Sequence, residues 1–336
     1  VFHRAPGQAN QFPCCHCLLQ CHSEAMQRLV IALFFLCAST TFAQRKQVWP
    51  ENFDGAKKVV YKTIGEVKLH VHVFRPAKKT SNAPAIVFFF GGGWNHGTPG
   101  QFEQQCRYLA SRGMVAMTAE YRIRNMHGTR AKACVEDGKS AVRWIRSNAK
   151  KLGVNSNQIA AGGGSAGGHV AACTGVIKGF EAKGENSKIS SVPNAMVLYN
   201  PPCVLASIPG RKDHLRAEAI AGMSARMGVA PEQLSPWHNV AKGQPPTLVL
   251  HGEADPTVPF WTSKVFVDKM KKVGNQAKLA AYPDQKHGFF NYGRGNDKMF
   301  IATMQRTDEF LTKLGWLKGK STIAAFAQAK RAGIKR

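Results

Sequence analysis

The sequence predicts an α/β protein with a mostly parallel central sheet, helices on both faces and a small lid-like insertion. Three observations lead there. Residues 84–90 form an unbroken apolar run, the pattern of a strand covered on both faces. Strand-like and helix-like segments alternate from residue 59 to residue 314. Finally, Gly163-Gly164-Ser165-Ala166-Gly167 stands between a short apolar run and a stretch of small residues, which predicts a sharp strand-to-helix turn carrying an exposed serine. The chain has 336 residues and is 44% hydrophobic, enough for one large domain with a substantial core.

The globule is expected to begin near residue 44. Met26-Gln27-Arg28 leads into an apolar run over residues 29–38 and then Ser39-Thr40-Thr41-Phe42-Ala43. A short basic start, an apolar stretch too short for a comfortable membrane span and a small-x-small ending predict a signal peptide at 26–43, cut after Ala43. Residues 1–25 then read as a non-native upstream extension, and their Cys14, Cys15, Cys17 and Cys21 cluster as no metal site. A secreted or periplasmic protein follows. Cys106, Cys134, Cys173 and Cys203 remain, free to pair or to pack as buried thiols.

The formal net charge is +26, and the predicted cleavage removes only Arg4, Arg28 and Glu24 among charged residues. Such a surface attracts anionic polymers. No nucleic-acid motif accompanies it, so nucleic acid is not an expected partner.

The elements follow in order. Residues 59–64 and 67–74 predict an antiparallel edge pair, the second with His70 and His72 facing solvent. Residues 84–90 make a central strand ending in Gly91-Gly92-Gly93-Trp94, residues 102–111 a helix and 114–119 a strand. A long amphipathic helix is expected over 131–152, then the serine-bearing turn, its helix and a strand at 195–199. Residues 203–244 break the rhythm and read as a lid or substrate-shaping insertion over the carboxyl ends of the strands. A strand at 246–251, a helix at 260–273, a strand at 277–282 and a helix at 297–314 complete the domain. The basic, Ala-rich tail from about 318 to 336 is expected to fray.

A serine hydroxyl becomes a nucleophile at neutral pH only when a histidine takes its proton and a carboxylate orients that histidine. Ser165, Asp255 and His287 each follow a predicted strand, so one sheet edge gathers them. Glu253 is the alternative acid. Asp284 is too near His287 in sequence, and His169 lies on the helix after the serine as a structural residue. Backbone N–H groups of Gly92, Gly93 and Ala166 are the expected oxyanion donors. Trp94, Trp237, Phe289 and Phe290 are candidates to shape a substrate pocket. No metal or cofactor is called for.

G-G-G-W, Y-R-I, D-G-K-S-A-V-R-W-I-R-S-N-A, G-G-S-A-G-G, H-G-E-A-D-P-T-V-P and K-H-G-F together resemble the hormone-sensitive-lipase-like α/β-hydrolases, closest to the exported bacterial branch of acetyl-xylan and feruloyl esterases. The resemblance spans residues 55–315. It implies an α/β-hydrolase fold and carboxylic-ester hydrolysis through an acyl-enzyme, with a small ester or an acylated polysaccharide as substrate. General carboxylesterase, lipase or feruloyl esterase activity is an alternative of the same chemistry. A peptidase of the prolyl-oligopeptidase type and a non-catalytic binding protein are alternatives of other classes. One motif departs: Phe90 stands where the family has the histidine of H-G-G-G, so the glycine loop must be held by packing.

Overall fold

The protein is described by a computed structural model, which covers residues 48–211 and 220–333. The predicted leader and upstream extension lie outside the described residues. Eight strands form one sheet in the order β1-β2-β4-β3-β5-β6-β7-β8. They are β1 (Ala56–Ile64), β2 (Val67–Phe74), β3 (Ala83–Phe89), β4 (Val115–Ala119), β5 (Val154–Gly164), β6 (Ala195–Tyr199), β7 (Thr247–Gly252) and β8 (Ala277–Tyr282). β1 pairs antiparallel with β2, and β2 antiparallel with β4. From β4 through β8 every pairing is parallel. This is the α/β-hydrolase fold.

β3 shows why a continuous apolar run becomes a central strand. Ala85, Val87 and Phe89 pack on one face, and Ile86 and Phe88 on the other. The first face is covered by helices α2 (Ala131–Ser147), α3 (Ala166–Val176) and α5 (Phe260–Lys272). The opposite face is covered by α1 (Glu103–Ser111), α6 (Lys298–Lys313) and α7 (Ile323–Arg331). A short α4 (Met223–Met227) belongs to the insertion. α1 is entered through a 3-10 turn at Pro99–Phe102, with Pro99 in its first turn and Thr98 Oγ1 accepting from Gly100 N.

Three expectations are corrected. The helix expected over 131–152 ends at Ser147, and a separate turn, Ala149–Leu152, follows Asn148 at φ −103°, ψ 14°. His72 does not face solvent. It is fully buried against Phe53, and its Nε2 lies 3.3 Å from Glu120, whose carboxylate also meets His70 Nδ1 at 2.7 Å. β2 is the second strand of the sheet, so both of its faces are largely covered, and a buried carboxylate makes the polar alternation tolerable. Among the described residues the tail does not fray: α7 buries Ile323, Ala327 and Ala329, and Phe326 packs on Tyr108. The Tyr108 hydroxyl donates to Asp308 at 2.5 Å, and Arg112 Nε bonds the same carboxylate at 2.7 Å, so three segments meet at one charge. Cys106, Cys134, Cys173 and Cys203 are all buried free thiols.

Candidate active site

Ser165 stands between β5 and α3 at φ 52°, ψ −122°, a strained conformation for a residue with a side chain. Its amide donates to Tyr199 O at 2.9 Å. Two glycines make the turn possible. A Cβ on Gly163 would lie 2.4 Å from the Gly167 carbonyl carbon, and one on Gly167 would lie 2.0 Å from Phe89 O. β3, β5 and α3 therefore meet backbone to backbone, and Ser165 is left as the side chain at the apex.

The structure brings the three expected residues together. His287 Nε2 lies 2.9 Å from Ser165 Oγ, and His287 Nδ1 lies 2.7 Å from Asp255 Oδ2. Asp255 follows β7, and its Oδ1 accepts from the amides of Thr257 and Val258 at 2.8 and 2.9 Å. A fourth donor was not anticipated. His251, buried at the end of β7, donates from Nε2 to Val258 O at 3.0 Å, with Asp255 Oδ2 at 3.3 Å, while its Nδ1 accepts from Ser263 at 2.7 Å. The available signal was a histidine closing a central strand, four residues before the carboxylate. Burial alone would raise the pKa of Asp255, but the bonds from His251, His287 and Val258 N hold it well below the usual carboxylate range. It stays ionised wherever His287 works. Glu253 is exposed, and among the described residues no bond joins it to His287. The loop carrying His287 is anchored by Gly288 N, which donates to Asn200 Oδ1 at 3.2 Å.

The glycine loop after β3 is held by more than packing. Phe90 stacks on Tyr121 with ring centroids 4.2 Å apart and meets the edge of Trp49. The Tyr121 hydroxyl donates to Phe90 O at 2.5 Å, and Gly91 N donates to Gln101 Oε1 at 2.6 Å. Gly92 and Gly93 follow at φ 121° and 62°, and among the described residues neither amide has a protein acceptor. Ala166 N opens α3, where the helix end favours negative charge.

A cleft of about 430 Å³ opens beside the serine, lined by Gly93, Trp94, Ser165 and Ala166 together with Leu205 and Met223 of the insertion. Of the four aromatic candidates, only Trp94 lines it. Phe290 is core: its ring packs beneath Gly164 and against Phe102 and Tyr199. Phe289 is buried against Tyr282, and Trp237 packs on the core with Lys269 Nζ 4.0 Å above its ring. The reason is that the chain turns inward directly after His287, so residues 288–290 are all buried.

His169 is buried and positions Trp94. Trp94 Nε1–H donates to His169 Nδ1 at 3.2 Å, and His169 Nε2–H donates to Leu234 O at 2.8 Å. Only the neutral ring can make both bonds. Burial pushes its pKa down to about 4. Relative to an unfolded histidine near 6.5, the folded state binds its proton later. This contribution is therefore complete above pH 6.5 and is lost as pH falls toward 4, a difference of about 3 kcal/mol. Urea unfolding between pH 7 and pH 4.5 should show stability falling with acid, and His169→Gln should flatten that slope. Equal slopes in both proteins would remove His169 as the cause.

The comparisons with known proteins place the chain among esterases. The chain is 30% identical over 219 residues to Esterase LipC of Mycobacterium tuberculosis, covering 62% of this chain and 54% of that protein. It is 25% identical over 270 residues to an acetylxylan esterase of Xylanibacter ruminicola, covering 78% of this chain and 51% of the relative. The chain thus spans about half the length of these curated relatives. Among solved structures, Thermogutta terrifontis esterase 2 phosphonylated by sarin superposes with a TM-score of 0.78 at 44% identity, covering 82% of this chain and all of that one. The same esterase is also known with propionate and with butyrate bound. The dienelactone hydrolase family model matches residues 217–324, and the BD-FAE model matches residues 71–270. With more than half its length matched by that model and with this fold, the chain belongs to the BD-FAE family of α/β-hydrolase esterases.

Proposed function

We propose that this protein is an exported serine carboxylic-ester hydrolase that removes short acyl groups, acetyl foremost, from acylated polysaccharide. The observation that carries the chemistry is the unbroken contact from Asp255 through His287 to Ser165 at 2.7 and 2.9 Å, opening on a cleft. His287 takes the proton of Ser165 as its oxygen attacks the ester carbonyl, and Asp255 stabilises the imidazolium. Gly92, Gly93 and Ala166 offer their amides to the oxyanion. The alcohol leaves with the proton from His287. Water, deprotonated by the same ring, then releases the acid.

The finer reading has separate supports. A cleft of about 430 Å³ walled by Pro202, Val204, Leu205 and Val258 suits a short acyl chain. The propionate- and butyrate-bound forms of the similar esterase point the same way. Polysaccharide rests on the resemblance to an acetylxylan esterase, and export on the leader-like residues 26–43. The excess of basic side chains favours an anionic polymer as the carrier. The test is the chain from Gln44 assayed on p-nitrophenyl acetate, butyrate and octanoate, methyl ferulate and acetylated xylan. Turnover that fades from acetate to octanoate, with acetate released from xylan, is expected. Preference for octanoate, or no release from xylan, would replace this reading with a lipid or general carboxylesterase.

A further inference from the structure

Arg226 lines the same cleft as Ser165, and among the described residues its charge has no carboxylate partner. Its Cζ lies 5.2 Å from the centroid of the Trp94 ring, and its Nη2 bonds Gly93 O at 3.4 Å. Both contacts are on the loop that carries the proposed oxyanion donors. Other arginines in the fold do have acid partners: Arg112 has Asp308, Arg122 has Asp137 and Arg143 has Glu181. Burial by the cleft walls and then the like charge of Arg124 pull its pKa below the usual guanidinium value, yet it remains a cation at neutral pH. Arg226 itself is exposed toward the opening. The walls around it, Pro202, Val204, Leu205 and Met223, offer no negative charge.

A cation held over an aromatic face, beside an apolar acyl pocket and without a counter-ion among the described residues, is arranged to meet an anion from outside. We infer that the cleft also accepts acyl groups that end in a carboxylate, so that the protein hydrolyses half-esters of short dicarboxylic acids with the distal carboxylate paired to Arg226. The planar guanidinium fork matches a carboxylate, and partial removal from water strengthens the pair. The bond changes are those of ester hydrolysis. The Ser165 oxygen–carbonyl bond forms as the ester C–O bond breaks, the alcohol leaves with the proton carried by His287, and water then frees the dicarboxylic acid. Nothing is oxidised or reduced. This inference rests on the proposed serine-hydrolase chemistry.

The experiment compares monomethyl succinate with methyl 4-methylpentanoate, a neutral ester of the same shape, on the wild type, Arg226→Met and Arg226→Lys. Arg226→Met should lower kcat/KM for the charged ester, through KM, by about 10- to 100-fold more than for the neutral one. Arg226→Lys should recover part of the difference. An equal loss on both esters would make Arg226 only a tie between the insertion and the glycine loop, and would overturn the inference. So would no loss on either ester. A wild type that hydrolyses p-nitrophenyl acetate but neither methyl ester also overturns the inference, and one that hydrolyses none of the three sinks the hydrolase reading itself. Calorimetric binding of glutarate to Ser165→Ala then judges Arg226 alone: weaker binding when Arg226→Met is added supports the anion site, and unchanged or absent binding overturns it.

Discussion

Ser165→Ala should reduce hydrolysis of p-nitrophenyl acetate by about 10⁴-fold or more in kcat. The serine oxygen is the only hydroxyl that His287 Nε2 contacts among the described residues, at 2.9 Å. Removing it leaves the oxyanion donors and the cleft intact, so a small residual rate above water is expected from those groups alone. The positive φ of Ser165 makes alanine a modest further strain, and the buried glycine contacts of the elbow remain, so the variant should fold. Circular dichroism and steady-state kinetics on the same preparation check this. A folded Ser165→Ala protein within tenfold of the wild type would remove Ser165 as nucleophile and reopen the peptidase and binding-protein readings.

Asp255→Asn should cost about 10³- to 10⁴-fold in kcat, a loss that comes from proton placement. Asp255 is an acceptor on every side: two backbone amides meet Oδ1, and the rings of His287 and His251 meet Oδ2. An amide has one acceptor oxygen. If that oxygen keeps the Thr257 and Val258 amides, the new NH₂ group faces His287 Nδ1. The ring must then accept there and carry its proton on Nε2, the nitrogen that has to take the serine proton. Turning the amide over instead would set its NH₂ against two buried backbone donors, which costs more. A fall in kcat with little change in KM, in a protein that unfolds at a similar temperature, is the expected result. A loss under tenfold would show that Asp255 does not orient the base.

Much of this molecule can be read from local pattern. The apolar run at 84–90 and the strand–helix alternation specify a doubly covered sheet because burial on both faces demands such residues whatever their neighbours. G-G-S-A-G specifies a close backbone crossing because a Cβ at Gly163 or Gly167 would collide with neighbouring backbone atoms. Ser165, Asp255 and His287 fall after strands that a parallel sheet brings to one edge.

Other features depend on which distant residue arrives next to which, and only the tertiary structure decides that. His72 alternates like a surface residue, yet β2 has strands on both sides and Glu120 beside it. The Ala-rich tail reads as frayed until Tyr108, 213 residues before Ser321, supplies a docking site for it with Asp308 bonded to the same hydroxyl. Phe90 replaces a polar family residue, and Tyr121 makes good the loss by stacking on it and bonding its carbonyl. Trp94 lines the cleft while Phe290 packs wholly in the core, a difference that side-chain type does not encode. Arg226 shows the same limit. As sequence it is one arginine among many, and its place in the cleft beside Ser165, without a carboxylate partner among the described residues, exists only in the folded chain.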